Sequence, residues 1–232
     1  MARLPALIDD LAAHDVRGRS TVEVAARMIR EAGLIRTTKR GRGGEDVTWS
    51  DAAALLIGIC ASEVPRDAPD AVRRFSGLVP VTDDDPVLEA GLPSVLANVM
   101  AARTFRDAVA GLIKDAEDLL GLARSSASAH ALRVRGASPD RRGLPLTIGF
   151  DFSLRLVLFL PQPGALIEAR WEEAGSGPPV REFRRGFAID RPAGMDIRTP
   201  AEAGADRAIE IAIGLRTFLR LHRLLRTPLV TS

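Results

Sequence analysis

The stretch that decides how the N-terminal half folds runs from Ser20 to Asp51 and reads S-T-V-E-V-A-A-R-M-I-R-E-A-G-L-I-R-T-T-K-R-G-R-G-G-E-D-V-T-W-S-D. Its first part predicts an amphipathic helix, because apolar residues recur at spacings of three and four. These residues are Val22, Ala25, Met28, Ile29 and Ala32. Ser20 is predicted as the N-cap, with Glu23 completing a capping box. Gly33 is predicted to end the helix as its C′ residue.

The second part of this stretch predicts a basic hairpin. Leu34 and Ile35 are expected to begin a strand, and Val47 and Trp49 alternate as a returning strand. The glycines between them permit a sharp reversal. Thr48 or Ser50 is expected to cap a following helix over 52–61. Residues 34–44 contain four cations and no acid.

This order of elements resembles the winged helix-turn-helix superfamily over about residues 3–62. The resemblance rests on A-G-L-I at the helix end, K-R-G-R-G-G at the tip and V-T-W-S-D leading into the next helix. It implies that the helix meets base edges in a groove of duplex DNA while the tip contacts phosphate. The DNA-binding residues it implies are Arg19, Thr21, Arg27, Arg30, Arg36, Lys39, Arg40 and Arg42. One departure is that only one clear helix precedes the helix that begins near Ser20.

Two other interpretations of the basic tip stay open. It is equally compatible with a solvated loop that joins the helices of an ordinary α-helical domain. It is also compatible with an anion nest for a nucleotide phosphate. The tip R-G-R-G-G has neither the spacing of a P-loop nor that of the dinucleotide fingerprint.

The remaining chain predicts an α+β protein. Helices are expected over 4–11, 71–78, 94–123 and 203–226, the last covering an antiparallel β-meander. Every even position from Leu144 to Leu156 is apolar, which indicates strands with one buried face. Further strands are expected around 167–171 and 183–189. The small polar segment 124–130 is predicted to be a linker, which divides the chain into a helical half, 1–124, and a small α+β domain, 131–232.

No pattern predicts an enzyme, a cofactor or a metal site. Cys60 follows an apolar run and is predicted to be a core residue. His14, His130 and His222 have no zinc-ligand spacing, and Asp83–Asp85 is typical of a solvated connector. The arginines of the last predicted helix, Arg216, Arg220, Arg223 and Arg226, are interpreted as a solvated face, a protein interface or a second nucleic-acid contact.

Composition limits the class of protein without naming a partner. The chain has 232 residues, 46% of them apolar and 27% charged, with a net charge of +2. This is enough to form a core, and the net charge is too small to indicate nucleic acid on its own. Asp9 and Asp10 interrupt any apolar signal sequence, so a cytoplasmic protein without a membrane segment is expected.

These observations favour a DNA-binding transcriptional regulator, with a phage or mobile-element origin suggested by resemblance alone. Double-stranded DNA and a second copy of the chain are the expected partners, and the C-terminal domain is expected to oligomerise or to bind an effector or protein partner. The alternative is a non-enzymatic structural or assembly protein, such as a phage packaging adaptor.

Overall fold

A computed structural model describes residues 4–13, 15–36, 47–81, 91–135, 152–160, 163–173, 180–189 and 209–226. In these ranges the helices are α1 (Leu4–Ala12), α2 (Arg19–Glu31), α3 (Trp49–Cys60), α4 (Ala68–Ser76), α5 (Ser94–Met100), α6 (Phe105–Lys114), α7 (Ala116–Arg135) and α8 (Leu215–Arg226). The strands are β1 (Val79–Pro80), β2 (Phe152–Leu160), β3 (Gly164–Glu172), β4 (Val180–Ala188) and β5 (Ile209–Gly214). The predicted α+β class is confirmed.

The helix α3 is the centre of the helical layer. Its residues from Asp51 to Ile59 are all buried, and it packs against α6, α4 and α2. Such all-round burial explains why its sequence is almost continuously apolar. Gly58 permits the close approach, because a Cβ atom there would lie 2.6 Å from Ile29 Cδ1 and 2.7 Å from Val72 Cγ2.

The end of α2 follows the prediction and its start does not. Gly33 has a φ of 71°, its N–H donates to Arg30 O, and the Leu34 N–H donates to Ile29 O. This is a Schellman motif, which confirms Gly33 as the C′ residue. At the other end Gly18 is the N-cap and forms no side-chain capping bond, so the predicted Ser20 cap is wrong. The helix begins at Arg19 instead.

The described strands form one antiparallel sheet in the order β1-β4-β3-β2-β5. The alternation of β2 separates its faces: Leu154 and Leu156 are buried, while Ser153 and Arg155 are exposed. Helix α7 contacts β3 and β2. Phe105 of α6 packs against Phe187 of β4 with ring centroids 5.4 Å apart. The apolar face of the sheet therefore packs on the helical layer.

Three predicted elements differ from the structure because hydrophobic spacing does not mark where a helix breaks. The helix predicted over 94–123 is three helices, α5, α6 and the beginning of α7. The linker predicted over 124–130 is wrong, because α7 continues through it and buries Ser126 and Ala129. Residues 209–214, predicted as helix, form β5.

The predicted division into units 1–124 and 131–232 stays a prediction. One hydrophobic cluster contains residues from both, including Leu55 of α3, Trp171 of β3 and Phe218 of α8. Helix α8 contacts α7, α6 and α1. Sharing one core gives a physical reason to test whether either unit folds alone.

Candidate nucleic-acid interface at the start of α3

A buried carboxylate holds the two flanks of the predicted basic tip together. Asp51, in the first turn of α3, is 5% exposed. Its Oδ1 accepts from the Arg36 N–H at 3.3 Å, and its Oδ2 accepts from the Thr48 N–H at 3.0 Å and the Thr48 hydroxyl at 2.6 Å. The Asp51 N–H donates to Thr48 Oγ1 at 3.1 Å, completing a capping box. Arg36 and Thr48 are thus held side by side.

The structure confirms the predicted cap at Thr48 and corrects the predicted strands beside it. Trp49, expected in a returning strand, is the first residue of α3. Leu34 and Ile35 follow the turn at Gly33 without forming a strand. Both side chains still pack against the core, which explains their apolar character. The capping box between Thr48 and Asp51 starts α3 at Trp49, three residues earlier than predicted, so Trp49 lies in the helix and not in a strand.

A further arginine, which the sequence patterns did not predict as a site residue, holds the same two parts of the chain. Arg106 of α6 donates from Nε to Ser50 O at 3.1 Å and from Nη2 to Leu34 O at 3.3 Å. It therefore bridges the chain on both sides of residues 37–46. No local pattern could have revealed it, since its two acceptors are backbone carbonyls that lie 56 and 72 positions away in the sequence.

These residues line a cavity of about 350 Å³. Its lining residues are Gly33, Leu34, Ile35, Arg36, Thr48, Ser50, Asp51 and Arg106. Within the described part of the chain, the Arg36 and Arg106 side chains form no ion pair with any carboxylate. Among these lining residues, the two cations Arg36 and Arg106 therefore face one carboxylate, that of Asp51.

The predicted arginines of α2 share one side of that helix with the acids Glu23 and Glu31, whereas Thr21 lies on another side. Arg19 pairs with Asp9 at 2.7 Å, and Arg27 lies 3.9 Å from Glu31. Both pairs are more than half exposed, so they are weak and exchangeable. The Thr21 hydroxyl donates to Arg17 O at 3.0 Å, which occupies its proton.

The remaining predicted contacts divide into two groups. Arg36, exposed at the end of the Gly33 turn, lines the cavity, whereas Arg30 lies in the last turn of α2 and is not among the lining residues. Lys39, Arg40 and Arg42 lie outside the described residues. The structure thus brings Arg36 together with Arg106, and the three tip cations stay a prediction.

The other end of α3 carries a second arginine, and this one is paired. Arg17 Nη2 donates to Asp15 Oδ2 at 2.6 Å and to Ile59 O at 2.6 Å, and its Nη1 donates to Ser62 O. The hydrogen bond from Arg17 lowers the pKa of Asp15 and raises the pKa of Arg17 itself. A cation at a helix C-terminus also favours the helix dipole. We call these residues, Asp15, Arg17, Ile59 and Ser62, the C-terminal clamp.

Cys60 lies at the clamp and has the properties of a core residue. It packs half-buried against the hydrophobic core, and burial raises the pKa of its thiol to about 12. A thiol with so high a pKa is almost entirely protonated at neutral pH and is therefore a poor nucleophile. This supports the structural interpretation of Cys60.

Two arginines of α8 form ion pairs with carboxylates of the helical layer. Arg220 Nη2 lies 2.7 Å from Asp10 Oδ1, and Arg226 Nη1 lies 3.1 Å from Glu117 Oε2. Between them, the buried His222 donates from Nδ1 to Ile113 O at 3.0 Å and stacks on Trp49 with centroids 5.5 Å apart. This flank of α8 therefore attaches the last helix to the helical layer, and through Trp49 to the start of α3.

The other titratable clusters have structural partners. His130 Nδ1 lies 3.0 Å from Glu172 Oε1, and Ser126 Oγ accepts from the Glu172 N–H at 2.7 Å. Ser126 is fully buried, so it is not placed to attack a substrate. His14 and Asp83–Asp85 lie outside the described residues. Among the described residues, no group of three or more His, Cys, Asp or Glu side chains could hold a metal ion.

Comparison of the chain with protein families, with curated proteins and with solved structures finds no match. In the described ranges, none of the helices combines the length and the apolar character that crossing a membrane requires. The chemistry of this interface therefore rests on its own residues.

Proposed function

We propose that this protein is a DNA-binding transcriptional regulator that grips duplex DNA with the basic segment 36–42. The observation that carries the proposal is the pair of hydrogen bonds from Arg36 and Thr48 to the single carboxylate of Asp51. The chain on both sides of residues 37–46 is held at one carboxylate, which fits the hairpin that the sequence predicts there. Four cations in 34–44 would then meet phosphate at its tip.

In this proposal α2 supplies the contacts to base edges. Its exposed ion pairs, Arg19 with Asp9 and Arg27 with Glu31, contribute little to stability because water screens them. Such pairs can be exchanged for contacts to DNA at small cost. The interleaved acids Glu23 and Glu31 would repel phosphate, which makes the basic segment the main source of affinity.

The C-terminal sheet and α8 serve in this proposal as the oligomerisation or effector-binding unit. Charged side chains on the exposed face of the sheet pair across strands, with Glu168 lying 3.1 Å from Arg184 and 3.7 Å from Arg155. The charges of Arg155 and Arg184 are offset by Glu168, whereas Arg36 and Arg106 have no carboxylate partner among the described residues. Arg155 and Arg184 are therefore poorer candidates for phosphate contacts than the cations at the start of α3.

Binding of a random-sequence duplex across a salt series tests the proposal. Replacing Arg40 and Arg42 by alanine should reduce the slope of log affinity against log salt by about 2, because each phosphate contact releases about 0.9 counterion. The charge-matched control is Lys114→Ala with Arg124→Ala, two exposed cations of α6 and α7. Equal slopes for the two double variants would contradict the proposed contact.

Two further measurements separate regulation from assembly. Selection from a random duplex pool should enrich a common sequence if the protein regulates particular sites. Gel filtration should show a dimer, which matches two half-sites. A ring of higher order that binds DNA without sequence preference would instead favour an assembly protein.

A further inference from the structure

Two arginines that are 70 positions apart in the sequence line one cavity at the start of α3. Arg36 reaches it from the turn after α2, and Arg106 reaches it from the first turns of α6. The position of Arg106 is set by its bonds to Ser50 O and Leu34 O. These two bonds use Nε and Nη2, so the N–H groups of Nη1 stay available.

The charges around this cavity favour an anion. Both guanidinium groups lack a carboxylate partner in the described part of the chain. The acid in the lining, Asp51, already accepts three hydrogen bonds, from Arg36 N, Thr48 N and Thr48 Oγ1. These donors stabilise its charged form. Two arginines against this one carboxylate leave the lining with a positive net charge.

Hydroxyl donors complete the lining. The Ser50 hydroxyl forms no hydrogen bond among the described residues and lies in the same lining. An arginine fork with a nearby hydroxyl is the donor arrangement that tetrahedral phosphate oxygens accept. The cavity volume of about 350 Å³ lies in the range of roughly 300–1,000 Å³ that is typical of small-ligand sites.

We propose that the cavity between Arg36 and Arg106 is a binding site for a phosphate ester. The phosphate is held by Arg36, by Nη1 of Arg106 and by the Ser50 hydroxyl. It belongs either to the backbone of duplex DNA, which rests on the proposed function, or to a free phosphorylated small molecule, which does not. Arg106 thereby joins the contacts of the basic segment although it lies on another helix.

The first experiment uses inorganic phosphate as the probe. The melting temperature of the full chain should rise more with sodium phosphate than with sodium chloride at equal ionic strength, since a ligand that binds the folded state stabilises it. Arg36→Gln and Arg106→Gln should reduce this difference to the part that phosphate produces by its exclusion from protein surfaces. Arg124→Gln, which removes an exposed cation of α7, should keep it.

The second experiment measures duplex binding for the same variants. If a backbone phosphate occupies the cavity, Arg36→Gln and Arg106→Gln should each reduce the salt slope by about 1, and Arg124→Gln should not. Because the Arg36 side chain forms no bond to any described residue, Arg36→Gln keeps the test valid even if Arg106→Gln destabilises the protein.

The outcomes separate the two sources of phosphate. If the variants reduce the salt slope of duplex binding, the site belongs to the DNA backbone. If they lower the melting-temperature effect of phosphate but leave the salt slope unchanged, the site belongs to a free phosphate ester. If Arg36→Gln matches the wild type in both experiments, the cavity proposal is overturned. If the wild type does not bind duplex at any salt concentration, the proposed function fails, and the inorganic phosphate experiment alone decides the cavity.

Discussion

The two ends of α3 use the same side chain in different electrostatic settings. At the C-terminal clamp, Arg17 donates to Ile59 O and Ser62 O and also pairs with Asp15. At the start of the helix, Arg106 donates to Ser50 O and Leu34 O without any such acid among the described residues. A hydrogen bond to a backbone carbonyl therefore does not by itself give an arginine a purely structural role. The charge of Arg17 is balanced by Asp15. Arg106 has no carboxylate partner among the described residues, so its charge can still bind an anion from outside.

Truncation after residue 124 should destabilise the protein more than the substitutions at either end of α3. The clamp residues all lie within 1–124, but the fragment loses His222, on which Trp49 stacks, and the buried Phe218 and Leu221 of α8. We expect the fragment to lose cooperative unfolding, measured by circular dichroism in urea. A cooperative transition would instead support the predicted division at 124–131.

Arg17→Ala should be the most damaging single substitution at either end of α3. It removes the side-chain donor from the carbonyls of Ile59 and Ser62 and leaves the Asp15 carboxylate with only the backbone N–H of residue 17, which should cost about 2–3 kcal/mol of unfolding free energy. The control is Arg19→Ala, whose pair with Asp9 has a similar distance but is exposed, so it should cost much less than Arg17→Ala.

The rate at which a thiol reagent labels Cys60 measures the local effect of Arg17→Ala. In the wild type the thiol should react slowly in native buffer, because burial raises its pKa to about 12. Arg17→Ala should accelerate labelling, and Arg36→Gln should not. Equal rates in all three proteins would mean that the clamp does not control access to this end of α3.

Acid should weaken the clamp. The hydrogen bond from Arg17 lowers the pKa of Asp15 below its ordinary value of 3.8. A lowered folded-state pKa stabilises the protein above the unfolded-state pKa, and this contribution is lost as the pH falls through the folded-state value. The unfolding free energies of the wild type and Asp15→Asn should therefore converge as the pH falls below 3.8, measured by urea titration. A difference that stays constant as the pH falls would contradict the assigned ion pair.

Substitutions at the start of α3 should have the smallest effects on stability. Arg106→Gln removes two hydrogen bonds to carbonyls and should cost about 1 kcal/mol. Arg36→Gln removes an exposed side chain that has no partner among the described residues and should change the unfolding free energy by less than about 0.5 kcal/mol. A loss of stability for Arg36→Gln as large as that for Arg17→Ala would remove the distinction between the two ends.

Local patterns predicted those features whose cause is local. The spacing of apolar residues in α2 and the conformational freedom of Gly33 placed that helix and its end correctly. Alternation from Leu144 to Leu156 predicted strands with one buried face, and its described part, 152–156, lies in β2 with that pattern. Thr48 or Ser50 was predicted as a cap, and the capping box that Thr48 forms spans only three residues. Each of these features depends on residues that are close in the sequence.

The tertiary structure decided the features that depend on distant partners. Ser126 and Ala129 are small enough for a linker, but burial against β3 and the core keeps them within α7. Arg17 and Arg106 look alike in the sequence, and only their folded surroundings distinguish a paired charge from an unpaired one. Periodicity shows which side of an element is buried, because that depends on local geometry. It does not show what covers that side or which carbonyl an arginine reaches, because those contacts form between segments that only folding brings together.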